Sequence, residues 1–194
     1  MTRNIIDIDL DSCIGCHSCA VVCKQENNVG LGTFYNKVLT VGPSGTYPDL
    51  EMYYLPVSCQ HCDNPECVSV CPTGASYRDE NNVVLVDKEK CIGCKYCMMA
   101  CPYGVRSWSP SEHVVEKCTL CGQLTSVGEE PKCVAACCAS ARFYGDLDDP
   151  NSDASKALAA AGADSVHRLK DVGNGPQTAY ILSAKYAEWK EEVK

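Results

Sequence analysis

The sequence is poor in large apolar side chains and has no long apolar segment. Its 194 residues include two Phe and two Trp. No run approaches the roughly 18 consecutive apolar residues of a membrane-spanning helix, which argues against an integral membrane protein. The first residues, MTRNIIDIDLD, contain no apolar signal core and no twin arginine, so we expect no export signal on this chain.

Positive charge and common catalytic motifs are also scarce. The chain has 17 Lys and Arg against 25 Asp and Glu, a formal net charge of -8, and no block of five basic residues. Nucleic-acid-binding proteins usually carry a basic patch, so we expect no nucleic-acid partner. The sequence contains no G-x-S-x-G, no phosphate-binding loop and no G-x-G-x-x-G, so we expect no active site on this chain.

The abundant residue is cysteine, with 17 copies. Hydrophobic residues make up 45% of the chain, and about 36% without the cysteines, which is low for a globular core. A disulfide framework is not expected without a secretory signal. Bound metal is the better explanation, because the free energy of metal binding then contributes to folding.

Sixteen cysteines fall into four groups of four, and the spacing of these groups favours iron–sulfur clusters over zinc. Groups one and three read C-x2-C-x2-C-x3-C, which does not divide into the C-x2-C pairs typical of zinc sites. In bacterial ferredoxins three cysteines of such a run bind one 4Fe–4S cluster, and the fourth binds another. The groups are Cys13, Cys16, Cys19 and Cys23; Cys59, Cys62, Cys67 and Cys71; Cys91, Cys94, Cys97 and Cys101; and Cys118, Cys121, Cys133 and Cys137.

An internal repeat indicates two similar units. DSCIGCHSCAVVC aligns with EKCIGCKYCMMAC, and PECVSVCPTGASYRD aligns with PKCVAACCASARFYGD. The predicted fold is α+β, with two bacterial-ferredoxin-like units of short hairpins and helices around nested cysteine groups. We expect residues 1–30 with 105–150 to form the first unit, 31–104 the second with a hairpin insertion, and 151–194 a C-terminal extension.

Exchange of the fourth cysteine between neighbouring groups predicts how the ligands pair. Groups two and three exchange with each other, and groups one and four then close the other unit across the chain. The predicted ligand sets are Cys13, Cys16, Cys19 and Cys137 for cluster one; Cys59, Cys62, Cys67 and Cys101 for cluster two; Cys91, Cys94, Cys97 and Cys71 for cluster three; and Cys118, Cys121, Cys133 and Cys23 for cluster four.

The histidines, basic residues and extra cysteine near the four groups each have two possible roles. We expect His17 and His61 to donate hydrogen bonds near the clusters or to be solvated, rather than to bind iron, since no cysteine is missing. Arg106 and Lys117 either offset cluster charge or are ordinary solvated cations. Cys138 is expected to be a buried inert thiol, with a spare ligand or redox thiol as the alternative.

The rest of the chain predicts short elements. NIIDIDL alternates like a strand, AVVCKQENN is typical of a short helix, and SDASKALAAA predicts a helix that ends at Gly162. The other predictions are strands over 34–41 and 50–57 joined by the turn-rich GPSGTYPD, a hairpin from 76–78 and 83–86, strand-like HRLKDV and TAYIL, and a polar helix over AKYAEWKEEVK.

The four-group order resembles the iron–sulfur subunit of the DMSO reductase family of molybdopterin oxidoreductases. Further similarity lies in GTYPD before group two, CPYGVR after group three, GDLDDPNS after group four and GNGPQTAYIL near the end. Within that family the sequence is most similar to the branch of arsenate reductases and aromatic-ring hydroxytransferases or dehydroxylases. The chain departs from the family pattern at Cys138, where relatives often have Pro.

The resemblance implies a relay of four 4Fe–4S clusters in a line, within a heteromer of anaerobic respiration. Its partners would be a molybdopterin-containing catalytic subunit and, on the other side, a membrane anchor or a cytochrome- or quinone-linked protein. Relatives without a signal are exported folded with a signal-bearing partner or stay in the cytoplasm, and we expect an extracytoplasmic, membrane-peripheral position. The alternative functions are a relay in a formate dehydrogenase, hydrogenase or nitrite reductase complex, and a free polyferredoxin.

Overall fold

The computed structural model describes residues 3–183 and 188–193 as a mixed helix and strand protein of short elements. In the described residues the helices are α1 Ser18–Glu26, α2 Glu66–Ser69, α3 Tyr96–Ala100, α4 Gly122–Thr125, α5 Lys132–Ala135 and α6 Asp153–Ala161. The strands are β1 Asn4–Asp9, β2 Asn36–Thr46, β3 Asp49–Ser58, β4 Ser76–Arg78, β5 Val84–Val86, β6 Ser107–Ser109, β7 Val114–Glu116, β8 Arg142–Asp146, β9 Val166–His167 and β10 Tyr180–Ile181.

The largest sheet joins distant parts of the chain in the order β8-β1-β10-β9. Strand β1 pairs antiparallel with β8 and parallel with β10, so the start of the chain lies between group four and the tail. Both faces of β1 are covered, and Ile5, Ile6 and Ile8 are each no more than 4% exposed. The predicted strand at the start is therefore confirmed. In the tail, TAYIL contributes β10, which pairs with β9, but the predicted strand HRLKDV is wrong beyond His167, because β9 ends there.

Three separate hairpins complete the strands. The two predicted hairpins are present as β2–β3 and β4–β5, and the sequence prediction missed the third, β6–β7. The expected turn GPSGTYPD is shorter than predicted, because β2 continues to Thr46 and β3 begins at Asp49. Cross-strand pairing between residues 44–46 and 49–51 takes up most of the segment that the Gly and Pro content assigned to a loop.

The two longer helices lie where the sequence places them. Helix α6 begins after Ser152, whose hydroxyl accepts a hydrogen bond from the Ser155 amide at 3.1 Å. It ends at Gly162, whose φ of 79° is favourable for glycine. Helix α1 covers most of AVVCKQENN, as predicted, and begins directly after the first two cysteines of group one.

The predicted polar helix at the end of the chain is wrong over residues 188–193, and the rest of it lies outside the described residues. Trp189 stacks on His167 with ring centroids 5.1 Å apart, and its indole donates to the Arg168 carbonyl. The amide of Lys190 donates to the Tyr53 hydroxyl at 2.9 Å. The Lys190 amide, which a helix would use for its own backbone hydrogen bonds, is thus bonded to a side chain of β3, and the Trp189 ring packs against β9.

The core is shared between aliphatic, aromatic and cysteine side chains. One buried cluster contains Ile8, Leu55 and Tyr180 together with Cys23 and Cys118. The low apolar content is thus supplemented by cysteine, and the fold is built around the thiols. Within the described residues no helix is both long and apolar enough to cross a membrane.

Candidate metal-cluster sites

The two CIGC loops adopt the same backbone conformation. Gly15 and His17 have φ of 65° and 62°, and their repeat counterparts Gly93 and Lys95 have φ of 68° and 65°. Left-handed conformations at alternate residues curl each loop so that its first two cysteines line one cavity, and α1 and α3 follow at once. The internal repeat of the sequence is therefore also a repeat of local structure.

Both glycines of these loops are also required by close packing. A Cβ at Gly15 would lie 2.4 Å from the ring of Tyr54 in β3. A Cβ at Gly93 would lie 2.8 Å from the His113 carbonyl oxygen and 2.8 Å from the Trp108 ring. An aromatic side chain from a hairpin thus covers each loop, and only glycine allows this approach.

Three cavities are each lined by four cysteines, three from one group and one from another. We call these sets quartets and number them after the predicted clusters. Quartet one is Cys13, Cys16, Cys19 and Cys137; quartet two is Cys59, Cys62, Cys67 and Cys101; and quartet three is Cys71, Cys91, Cys94 and Cys97. The folded chain thus brings together the cysteines of three sets that the exchange rule had grouped.

The remaining set, quartet four, is Cys23, Cys118, Cys121 and Cys133, all of them buried. Burial, and then the neighbouring Cys133 and Cys121, raise the pKa of Cys23 to about 12. Burial and the neighbouring Cys23 and Cys133 likewise raise the pKa of Cys118. The four thiols are thus near enough to influence one another electrostatically.

Cys138 lies outside quartet one. Its Sγ is 3.6 Å from that of Cys16, and the residue is exposed, so the expected buried thiol is wrong. Cys137 lines the cavity, and its Sγ accepts a hydrogen bond from the Ala141 amide at 3.3 Å. Cys71, its repeat counterpart, accepts from the Ser76 amide, also at 3.3 Å.

Buried cations lie against the quartets. Arg106 is 4% exposed and donates to Cys67 Sγ at 2.9 Å and to Ser76 Oγ at 2.8 Å. Lys117 is 2% exposed, and its ammonium donates to the carbonyl oxygens of Val84 and Cys118. The interpretation of both as ordinary solvated cations is wrong.

A third buried cation was missed by the sequence analysis. Arg142 is 5% exposed, and its guanidinium donates to Asn36 Oδ1 at 3.3 Å. Burial opposes its charge, but the nearby thiols of Cys133 and Cys19 raise the pKa of Arg142. The repeat gave no signal for it, because Arg142 aligns with the uncharged Ser76 of the other unit.

The two histidines inside the cysteine groups differ in environment. His17 is exposed, whereas His61 is 1% exposed and adjacent to Cys59. Burial lowers the pKa of His61, and its Nδ1 accepts from the Val84 amide at 3.2 Å, so neutral His61 carries its proton on Nε2. Burial opposes the thiolate of Cys59, but the nearby charges of Lys117 and Arg106 hold the pKa of Cys59 well below its usual value.

The C-terminal segment also contacts a quartet. Asn174 is 1% exposed and donates through Nδ2 to Cys62 Sγ at 3.0 Å and to the Tyr103 hydroxyl at 2.9 Å. The sequence analysis noted the GNGP segment that contains Asn174, but nothing in the sequence indicated that this segment lies beside group two. Asn27 likewise lies beside quartet four, with its Nδ2 3.7 Å from both Cys23 Sγ and Cys121 Sγ.

The donor sets suit 4Fe–4S clusters. Each cavity presents four thiols on its walls, the ligand number and type of such a cluster. In the described residues no group of three or more His, Cys, Asp or Glu side chains is arranged to hold a single metal ion. Three buried donors beside the quartets, His61 Nε2, Arg106 Nη1 and Arg142 Nε, have no hydrogen-bond partner in the described chain, and cluster sulfur would accept from them.

Comparison with known proteins supports the same assignment. The description "4Fe-4S dicluster domain" applies to two families that match, over residues 12–75 and 50–147. The chain is 45% identical, over 93% of its length and 79% of the relative, to a Halobacterium salinarum protein named as an iron-sulfur subunit of dimethyl sulfoxide reductase. It is 40% identical to the thiosulfate reductase electron transfer subunit PhsB of Salmonella typhi, over 94% of this chain and 93% of that one.

A third relative is the arsenate respiratory reductase iron-sulfur subunit ArrB of Shewanella sp. The identity is 35%, over 91% of this chain and 94% of the relative. These three relatives are aligned over most of their own length.

Proposed function

Because the chain belongs to the family of iron–sulfur electron-transfer subunits of molybdopterin oxidoreductases and carries four 4Fe–4S clusters, we propose that its four quartets are the ligand sets of those clusters. The observation that carries this assignment is the composition of the three cysteine-lined cavities. Each contains three cysteines of one group and one from another. This is the ligand exchange of two-cluster ferredoxins.

The nested quartets also support two ferredoxin-like units. Quartets one and four use residues within 1–30 and 105–150, and quartets two and three use residues within 31–104. The extension 151–194 supplies β9 and β10 to the sheet that holds β1 and β8. Under this proposal the extension stabilises the first unit, and its Asn174 reaches the second unit at Cys62.

The contacts between quartets give the proposed order one, four, two, three. Arg142 interacts with Cys19 of quartet one and Cys133 of quartet four. The thiols of Cys118 in quartet four and Cys59 in quartet two act on each other electrostatically. Arg106 interacts with Cys67 of quartet two and Cys97 of quartet three. The two ends of this line are therefore quartets one and three.

The ends of the line are the most accessible positions. Cys16 of quartet one and Cys94 of quartet three are exposed, whereas quartet four is fully buried. The apolar Ile14 and Ile92, the second residues of the two CIGC loops, are 61% and 66% exposed. We assign the two electron ports to these ends, one of which faces the molybdopterin catalytic subunit.

The residues of the chain have clear roles in such a relay. A bound 4Fe–4S cluster supplies one-electron redox chemistry. The cysteines hold it, the buried aliphatic and aromatic side chains exclude water, and Asn174 and Arg106 donate hydrogen bonds to the ligand sulfurs of Cys62 and Cys67. Partners on the far side, such as a membrane anchor or a cytochrome- or quinone-linked protein, are part of the proposal, as is an extracytoplasmic position reached by co-export.

Iron and sulfide analysis of the anaerobically purified complex tests the ligand sets. We expect about 16 Fe and 16 sulfide per chain, and co-purification with a molybdopterin-containing subunit. About 12 Fe would show that one quartet is broken, and zinc in proportion to cysteine would refute the assignment. Fractionation of cells that produce the whole complex tests its location, since recovery in the cytoplasmic fraction would contradict co-export.

A pair of variants tests the exchange. Cys101→Ser is expected to damage the cluster of quartet two, and Cys71→Ser the cluster of quartet three, because each cysteine lines the cavity of the neighbouring group. Paramagnetic resonance of the two variants distinguishes these clusters. Damage confined to the cluster of each cysteine's own group would show that the crossed pairing is wrong.

A further inference from the structure

Three cations of this chain are almost fully buried beside quartets, and each lies between two of them. Arg142 lines the cavity of quartet one, and its charge acts on Cys19 of that quartet and on Cys133 of quartet four. Arg106 contacts Cys67 of quartet two and interacts with Cys97 of quartet three. These two arginines therefore occupy the junctions within the two units.

Lys117 occupies the junction between the units. Its charge acts on Cys118 of quartet four and on Cys59 of quartet two. Its ammonium is fixed by the carbonyl oxygens of Val84 and Cys118. In the order one, four, two, three, every step thus has one buried cation.

None of these cations is neutralised by a carboxylate in the described part of the chain. The ion pairs found there involve other basic residues, and the buried Glu116 next to Lys117 pairs instead with Lys88 at 2.7 Å. An isolated buried charge is costly unless an opposite charge compensates for it. The quartets supply that opposite charge, because thiolate-ligated clusters are anionic.

The two arginines reach equivalent places from different positions in the chain. Ser76 and Arg142 align in the internal repeat, and the Ser76 hydroxyl accepts a hydrogen bond from Arg106. One unit therefore carries its guanidinium on the aligned residue itself, and the other brings Arg106 to that residue from 30 positions away. Each unit thus has one guanidinium at this place, although the two arginines are not aligned with each other in the repeat.

We propose that Arg142, Lys117 and Arg106 are positioning residues that each place one fixed positive charge at a junction of the relay and raise the reduction potentials of the two clusters on either side. This inference rests on the proposed ligand sets and order. Reduction adds one electron, supplied by the redox partner of the complex, and no bond forms or breaks. The nearby cation stabilises the added negative charge, and burial weakens the screening of this interaction by salt.

Redox titration of the purified holocomplex, followed by paramagnetic resonance of the four clusters, tests the proposal. Arg106→Gln is expected to lower the potentials of clusters two and three only, and Arg142→Gln those of clusters one and four only. Lys117→Gln is expected to lower those of clusters four and two. We expect the equilibrium constant for reduction of each affected cluster to fall at least tenfold, which lowers its potential by about 59 mV for a one-electron couple.

Three further variants separate charge from structure. Lys156→Gln removes an exposed cation of α6, 61% accessible at its side chain, and should shift no potential. Arg106→Lys keeps the charge and should restore most of the potential. Asn36→Asp leaves Arg142 in place but sets a carboxylate against it, and should lower the potentials of clusters one and four even if Arg142→Gln fails to bind iron.

The outcomes distinguish this inference from the function on which it rests. Native-like iron content with unchanged potentials in Arg106→Gln and Arg142→Gln would overturn the inference and leave the relay intact. Equal shifts of all four clusters, or a matching shift in Lys156→Gln, would also overturn it, since net charge would then explain the effect. Fewer than four cluster signals in the native complex would overturn the proposed function itself.

Discussion

Individual residues decide which of two adjacent thiols serves quartet one. Cys137 lines the cavity and its sulfur accepts an amide hydrogen bond, whereas Cys138 is exposed beside Cys16. The internal repeat aligns Cys137 with Cys71 and therefore favours Cys137, and the folded chain brings this thiol into the cavity. The αL residue Ser140, with φ of 49°, and the return into β8 set which of them faces inward.

Cys138→Ser is therefore expected to retain four clusters, while Cys137→Ser loses the cluster of quartet one. Iron analysis and paramagnetic resonance of the two anaerobically purified variants provide the measurement. Loss of a cluster in Cys138→Ser, with all four kept in Cys137→Ser, would reverse this assignment.

A buried carboxyl group of β1 makes the stability of the fold depend on pH. Asp7 is 0% exposed, and its Oδ1 accepts from the Ala179 amide at 2.8 Å, while Oδ2 has no hydrogen-bond partner in the described chain. Burial raises the pKa of Asp7 from 3.8 to about 7. The folded state therefore holds this proton when the unfolded state has already released it. The contribution of Asp7 to stability is complete below about pH 4 and is lost as the pH rises through 7.

Asp7→Asn is expected to stabilise the protein at pH 8 and to have little effect at pH 4. The gain at pH 8 should be on the order of 2–4 kcal/mol, because one pKa unit corresponds to about 1.4 kcal/mol. Thermal unfolding of the holoprotein at several pH values measures the effect. Asp11→Asn is the matched control, since exposed Asp11 accepts from the Ser183 amide of the same tail. Equal effects of the two substitutions would show that burial of Asp7 is not the cause.

At the scale of elements, the hairpins pack against the two CIGC loops and hold them in place. The β6–β7 hairpin sets Trp108 and the His113 carbonyl against Gly93, and β3 sets Tyr54 against Gly15. The ammonium of Lys95, which lies in the group three loop, is 4.3 Å from the Trp108 ring centroid. These contacts join short elements that have few hydrogen bonds of their own.

Gly93→Ala is expected to destabilise the holoprotein more than Gly74→Ala. Both glycines have a similar positive φ, 68° and 66°, so the backbone cost of about 1–2 kcal/mol is common to both. A Cβ at Gly74 meets no atom within 4 Å, whereas one at Gly93 meets a backbone oxygen. We expect an additional cost of about 1–3 kcal/mol for Gly93→Ala, measured as a lower unfolding midpoint. Similar midpoints for the two variants would show that the β6–β7 hairpin shifts to accommodate the added Cβ at little cost in stability.

At the scale of the whole molecule, cysteine side chains replace part of the hydrophobic core. The buried core includes cysteines of all four quartets, among them Cys19, Cys59, Cys97 and Cys118. Removal of the clusters would leave buried thiols that contribute only as small apolar groups. The folded state should therefore depend on the clusters throughout the chain.

Chelation of iron under oxidising conditions is expected to abolish cooperative thermal unfolding. Calorimetry or circular dichroism of the apoprotein provides the measurement, with the holoprotein kept anaerobic as the control. A sharp unfolding transition in the apoprotein would show that the apolar residues and hairpins are sufficient to hold the fold.

The sequence by itself determined the chemistry of this protein. The cysteine spacing and the repeat identified iron–sulfur clusters and grouped the cysteines, because ligand spacing within a short loop is a local property. The first strand, α1, α6 and two hairpins were predicted for the same reason, since their patterns lie within a few consecutive residues.

Only the tertiary structure decided which distant residues surround those cysteines. Arg142 and Asn174 contact quartets through pairing of β1 with β8 and β10, which no local pattern encodes. The same long-range contacts left residues 188–193 without the predicted helix. The burial that distinguishes Arg106 and Lys117 from solvated cations likewise depends on every element packed around them, so it appears only in the folded chain.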